Sequence, residues 1–313
     1  MDASTPTPGP PDRRPVVVGV DESDSARDAA EWAGDLASLW QVPLRLVHTV
    51  LGEPDAPPIS TVPDWLRELV DAAERCGVTG AGAEVVSGSA IEQLVERSVS
   101  ARLLVVGSYG DGAWSGMLAG PTALALVGRA ACPVAIVRGT SPQVPPPRGG
   151  PILVGVDGSA AGDAALEFAA DLAAAEGARL LALHTWADVV ADAAGGVRRL
   201  PVDWDTLGAR GAELLAAHLK PVRERHPGLA VESEVVGDSP LRALIDRCRA
   251  ARLAVVGHRG SAEGSGMLLG STSRALVEFA ACPVIVTKSD FAAAADVRGA
   301  ATGSTATESS GVG

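Results

Sequence analysis

Aliphatic runs of strand length, such as PVVVGV at 15–20 and RLLALH at 179–184, alternate along the chain with longer segments of helical period. That alternation argues for βαβ units and a parallel sheet. In the second half it predicts strands near 151–156, 179–185, 230–236, 252–257 and 283–287, and helices near 160–176, 206–224, 239–249 and 271–280. The first half follows the same order. There AAEWAGDLASLW at 29–40 spaces Ala, Trp and Leu by three and four residues, giving a helix with one apolar face toward the sheet. The expected fold class is α/β, as two tandem Rossmann-like domains, each an open five-stranded parallel sheet with helices on both faces.

The two halves are copies of one unit. VVVGVDES at 16–23 returns as ILVGVDGS at 152–159, and LVHT at 46–49 as LHT at 183–185, with a shift of 136 positions. From EVV at 84–86 onward the shift is 150, pairing RLLVVGSYG at 102–110 with RLAVVGHRG at 252–260 and AACPVAIV at 130–137 with AACPVIVT at 280–287. Copy two has therefore gained about 14 residues around 187–210. The boundaries follow: a disordered tail at 1–14, copy one at 15–138, a Pro-rich linker at 139–150, copy two at 151–288 and a disordered tail at 289–313. The linker TSPQVPPPRGG at 140–150 is stiff enough either to keep the copies apart or to hold them in a fixed approach.

Composition narrows the function. Apolar residues are 47% of the 313, enough for two cores, while aromatics are only 3%, so Val, Leu, Ile and Ala build them. A net charge of −12 and a pI near 4.9, with no Lys/Arg stripe, argue against nucleic acid as a partner. The aliphatic runs are too short to span a membrane, and Met1 opens a Pro/Thr/Asp stretch without a signal-peptide core, so the expected location is the cytoplasm. Cysteines at 76, 132, 248 and 282 lack the spacing of a disulfide framework or zinc site and read as reduced thiols, Cys132 and Cys282 as small buried hydrophobes.

The segment VVGHRGSAEGSGMLLGSTSRAL at 255–276 carries candidate chemistry, as a strand, a Gly-rich loop and a helix start. Gly257 and Gly260 leave the strand, and after nine residues Gly270, Ser271, Thr272 and Ser273 open the helix. Glycines let N–H groups approach an anion closely, and a helix N-terminus adds donors and partial positive charge. Asp157, followed by Gly158 and Ser159, ends the first strand beside this loop, where ligands of open α/β sheets bind. It either caps the helix with Ser159 or faces a ribose hydroxyl or magnesium. Walker, dinucleotide, G-x-S-x-G and H-E-x-x-H patterns are absent.

Together these residues resemble the universal stress protein family, whose ATP-binding members share G-x2-G-x9-G-[ST] between the fourth strand and last helix. Copy two fits at every fixed position, and V-G-V-D-G-S, H-T and A-C-P-V-I-V extend the resemblance over roughly 15–138 and 151–288. It implies an adenine nucleotide alpha hydrolase-like fold binding ATP, with Mg, in which Gly155, Asp157 and Thr185 surround adenine and ribose. It further implies that Gly257, Arg259, Gly260, Gly270, Ser271, Thr272 and Ser273 hold the phosphates, with Arg259 either pairing with a phosphate or remaining a solvated loop charge. In copy one Gly19, Asp21, Thr49, Gly107, Gly110 and Gly120 form a weaker site. Pro121 replaces Ser271 and removes a hydroxyl and an N–H, Tyr109 replaces Arg259, Ala123 replaces Ser273, and Glu22 adds negative charge where copy two has Gly158. ATP is therefore expected mainly in copy two.

His48 and His184 end the second strand and read as structural histidines. Trp186 either covers the adenine or packs at the rim, and Trp65 and Trp204 suggest corresponding lids. The resemblance implies an ATP-dependent regulator in stress adaptation, an intramolecular pseudo-dimer paired through the last strands, and a possible homodimer. Alternatives are a slow ATPase or autophosphorylating enzyme, and a nucleotide-free scaffold.

Overall fold

A computed structural model of the chain describes residues 12–52, 61–110, 119–140, 144–186, 189–191, 197–199, 204–259 and 269–289. Most of both expected tails and Gly260 lie outside them. Copy one runs β1 (Val16–Val20), α1 (Asp24–Trp40), β2 (Leu44–Val50), α2 (Asp64–Arg75), β3 (Gly82–Ser87), α3 (Ala90–Ser98), β4 (Leu103–Gly107), α4 (Pro121–Arg129) and β5 (Val134–Val137). Copy two runs β6 (Ile152–Gly155), α5 (Ala160–Glu176), β7 (Leu180–Trp186), β8 (Val189–Ala191), β9 (Val197–Arg199), α6 (Trp204–Arg225), β10 (Val231–Gly237), α7 (Pro240–Cys248), β11 (Leu253–Gly257), α8 (Ser271–Phe279) and β12 (Val284–Thr287).

Because the strands are uninterrupted aliphatic runs, they have two faces to bury. Val16, Val18 and Val20 enter a core beneath α1, α2, α5 and α6, while Val17 enters a second core beneath α3, α4, α7 and α8. Helix α1 starts where the Ser23 hydroxyl accepts the Ala26 N–H and ends at Gln41 in the left-handed region; α5 repeats this with Ser159, Gly162 and Gly177. Ala26, Ala29, Ala33 and Ala37 lie on the buried face of α1, and their small side chains let it sit close to the sheet.

Each copy contributes five parallel strands, with the first and fourth adjacent at the centre. The two sheets fuse into one of ten strands, ordered β10-β7-β6-β11-β12-β5-β4-β1-β2-β3. The junction is antiparallel, Val284 opposite Ile136, Ile285 opposite Ala135 and Val286 opposite Val134, so the last-strand edge of each copy covers the other. Of the two roles open to the Pro-rich linker, keeping the copies apart is excluded by this junction. The inserted stretch of copy two holds a separate antiparallel hairpin, β8 with β9, which the sequence pattern had not predicted. Among the described residues no helix is long and apolar enough to cross a membrane.

Cys76 is exposed, whereas Cys132, Cys248 and Cys282 are buried. Burial pushes the Cys132 thiol up to about 12, and the Cys248 hydrogen bond, with burial, raises Cys282. Thiolate is the reactive form. Native protein at neutral pH is therefore predicted to lose only Cys76 to iodoacetamide, and all four cysteines in denaturant; rapid labelling of Cys132 in the native state, read by mass spectrometry of peptides, would contradict that burial.

Candidate functional site

At the carboxyl ends of β1, β2 and β4 in copy one lies a cavity of about 480 Å³, a volume typical of small-molecule sites. Gly19, Val47, Leu94 and Val106 make its apolar floor, Asp21, Thr49 and Tyr109 its polar rim, and Gly120 to Thr122, where α4 begins, its far wall. Several loop residues of the copy-two counterpart fall outside the described residues.

Asp21 and Asp157 do the same local job. The Asp21 carboxylate accepts the Ser23 N–H at 3.1 Å and its hydroxyl at 2.5 Å; Asp157 accepts from Ser159 at 3.0 and 2.6 Å. Those serines accept the helix N–H groups of α1 and α5, so each aspartate holds the capping serine of its copy. The other Asp21 oxygen lies over Gly110, where an added Cβ would come within 2.5 Å of it. In copy two Gly158 turns at φ +76°, beneath Leu214 and His218 of α6, a conformation that glycine adopts without strain. His218 Nδ1 in turn lies 2.5 Å from Asp163.

The glycines read as a phosphate cradle divide by role. A Cβ on Gly257 would lie 2.7 Å from the Ala161 carbonyl carbon and oxygen, and one on Gly107 would lie 2.5 Å from Ser25 Oγ, so both let the first helix of their copy pack on the strand end. Gly120 and Gly270 donate their N–H groups to Ser108 at 2.7 Å and His258 at 2.9 Å, closing the loops. Both N–H groups are thus engaged by backbone carbonyls. The buried Ser273 hydroxyl donates to the Gly257 carbonyl at 2.6 Å and ties α8 to β11, which leaves its backbone N–H facing the helix start. Ala123 makes no such tie in copy one.

What α8 offers is its first turn. Gly270 caps it with no side-chain hydrogen bond, Ser271 is exposed and Thr272 half-buried. The N–H groups of Ser271, Thr272 and Ser273 have no acceptor within the helix, and the dipole places partial positive charge among them. Helix α4 has the same uncapped start, but Pro121 stands first and lacks an N–H. Arg259 is exposed at the end of the described part of the loop.

One asymmetry escaped the motif reading. In copy one Ser25 Oγ accepts the N–H of Ser108 at 2.9 Å and of Tyr109 at 3.4 Å, whereas Ala161, its counterpart on α5, has no hydroxyl. The Ser108 N–H is shared with the Val137 carbonyl, as that of His258 goes to Thr287 in copy two, so the difference is that α1 engages the Tyr109 N–H of the copy-one loop. DESDS against DGSAA was the available signal.

The remaining aromatic and imidazole residues are mostly structural. His48 Nδ1 and His184 Nδ1 lie 2.9 and 2.7 Å from the carbonyls of Val20 and Val156, pinning the second strand to the end of the first. Trp65 packs edge-on against His48 with centroids 5.1 Å apart and lies against the core from α2, so it is a helix residue and not a lid. The Trp204 side chain falls outside the description. Trp186 lies over Gly237 of the neighbouring strand, where an added Cβ would meet its ring at 2.9 Å, and Thr185 is half-buried beside it on β7. Among the described residues no cluster of three or more His, Cys, Asp or Glu would hold a metal, so a magnesium ion at Asp157 would take further ligands from a nucleotide.

Fold and site define a class: tandem doubly wound α/β domains, each with a Gly-capped helix start at the carboxyl ends of its strands. The universal stress protein family profile matches residues 12–138 and 150–288, and the chain belongs to that family. It is 36% identical over 289 residues to Universal stress protein Rv2623 of Mycobacterium tuberculosis, covering 87% of this chain and 96% of the relative. Universal stress protein Rv2005c of the same species is also 36% identical, over 290 residues, with the same coverage. A universal stress protein structure from Archaeoglobus fulgidus shares the fold at a TM-score of 0.63 and 19% identity, over 88% of this chain and 99% of that one.

Proposed function

We propose that the protein is a nucleotide-dependent regulator in stress adaptation that binds ATP, with magnesium, mainly in copy two. The observation supporting this reading most is the uncapped start of α8, with Ser271 and Thr272 in its first turn, set at the sheet end where the equivalent residues of copy one surround a cavity of about 480 Å³. Adenine and ribose fit between the ends of the first and second strands, by Gly155, Asp157 and Thr185. The phosphates then reach the α8 N–H groups and Arg259 beyond Gly257 at the strand end. Copy one keeps the apolar floor but loses a donor to Pro121, and Ser25 takes up the Tyr109 N–H, so it retains the nucleoside end of the site more fully than the phosphate end.

Calorimetric titration of nucleotide-stripped full-length protein with Mg-ATP, with chromatography of nucleotide released from unstripped protein, tests this. A single tight class of site is expected. Two equal sites would defeat the preference for copy two, and neither bound nor titratable nucleotide would defeat the ATP reading.

A further inference from the structure

Where the copies join, each sends a cation to the back of the other's last helix. Arg138, just after β5, donates through Nη1 to the carbonyls of Val277 at 3.1 Å and Glu278 at 2.8 Å, in the last turn of α8. Lys288, at the equivalent place after β12, donates through Nζ to the carbonyls of Gly128 at 3.2 Å and Ala130 at 2.6 Å, at the end of α4. The residues before these cations hold the anion loops of their own copies. The Val137 carbonyl accepts the Ser108 N–H at 3.1 Å and the Thr287 carbonyl accepts the His258 N–H at 2.7 Å. Since Ser108 and His258 also accept the N–H groups of Gly120 and Gly270, the circuit closes on itself. It runs from α4 through Ser108, Val137 and Arg138 to α8, then back through His258, Thr287 and Lys288 to α4.

We infer that Arg138 and Lys288 are positioning residues for the anion-facing helices α8 and α4 of the opposite copies, so that phosphate affinity in each copy is set partly by a cation from the other. The inference rests on the nucleotide reading above. Two effects act together. A cation at the helix C-terminus offsets the negative end of the dipole that a phosphate meets from the positive end, and its hydrogen bonds hold the helix at a fixed depth against the loop. Arg138 is partly buried, and its Nε is buried without a partner among the described residues, so the guanidinium is held there at a desolvation cost. Helix α8 has nine residues, so about 13 Å separates its ends. Across that distance one charge alters the affinity of a multiply charged phosphate about three- to tenfold at intermediate dielectric, and leaves an uncharged nucleoside unaffected.

The test compares Mg-ATP and adenosine binding to nucleotide-stripped full-length wild type, Arg138→Met and Lys288→Met. Arg138→Met is expected to weaken Mg-ATP at the tight site about three- to tenfold with adenosine affinity unchanged, and Lys288→Met, which acts on α4, to leave the tight site alone. Arg138→Gln keeps a donor for the carbonyls and removes the charge, so it carries the same test if the Met variant does not fold. Equal losses for ATP and adenosine, equal effects of the two Met variants, or no change at all overturn the inference. Wild type that binds adenosine but shows no preference for ATP removes the nucleotide reading on which it stands.

Discussion

Ser271→Pro is expected to weaken Mg-ATP binding at the tight site by roughly ten- to a hundredfold, the equivalent of one charge-assisted hydrogen bond of about 1.5–3 kcal/mol, while leaving thermal stability close to wild type. Proline at the first helical position is well tolerated, because the N–H it lacks has no acceptor within the helix. This chain already shows the substitution in place: α4 begins at Pro121 and α8 at Ser271, and both run for nine residues. The change therefore removes one donor and one hydroxyl from the front of α8 and leaves its packing, through Leu276 and Val277, untouched. Calorimetry and a thermal melt read the two halves of the prediction separately. Unchanged affinity in a folded variant would mean that phosphates do not meet the first turn of α8. Pro121→Ser, placed in the Ser271→Pro background, is the converse, and a gain of Mg-ATP affinity in copy one is its expected result. That gain should stay short of the wild-type tight site, since Ser25 still takes up the Tyr109 N–H and Tyr109 stands in place of Arg259.

The sequence made the strands and helices of copy two legible because parallel strands buried on both faces are unbroken aliphatic runs, and the structure places α5 and the predicted 160–176 helix over the same residues. The family resemblance also implied the pairing of the last strands, which the β5–β12 register realises. The hairpin of β8 and β9 was not legible, because VVADAAGGVRR lacks strict alternation and its Gly-Gly pair is not flanked by two strand-like apolar runs, so the stretch reads as a loop. Within the site, motif spacing located the loop and the helix start but did not reveal which of their polar groups already have partners within the chain. A hydroxyl such as Ser273 Oγ has one proton to donate, and spacing along the chain does not show that the Gly257 carbonyl lies 2.6 Å away. The same limit hid Ser25, whose partners Ser108 and Tyr109 are more than eighty residues off in sequence. Arg138 and Lys288 were invisible for a related reason: each acts on the opposite copy, and no pattern within one copy records that contact.

The division among the glycines yields the second large effect. Gly257→Ala is expected to destabilise the protein by about 3 kcal/mol, at the upper end of what an added methyl costs in a packed interior, because its Cβ would come within 2.7 Å of the Ala161 backbone carbonyl. That neighbour is helix backbone, unable to rotate aside, so α5 must retreat from the sheet as a unit. Retreat would loosen the seat of Ala165, Leu166 and Ala169 in the core beneath it. Gly155→Ala is the matched control in the same sheet: its Cβ would meet Leu244 at 3.5 Å, an ordinary contact with a flexible side chain, and the expected cost is about 1 kcal/mol or less. Denaturant unfolding of the two variants, with unchanged slopes, separates them. A Gly257→Ala protein as stable as wild type but unable to bind Mg-ATP would return this glycine to the phosphate site. A protein that loses stability first, and recovers binding at low temperature where it is folded, would place Gly257 in the architecture that brings helix and loop together and leave the anion to the first turn of α8.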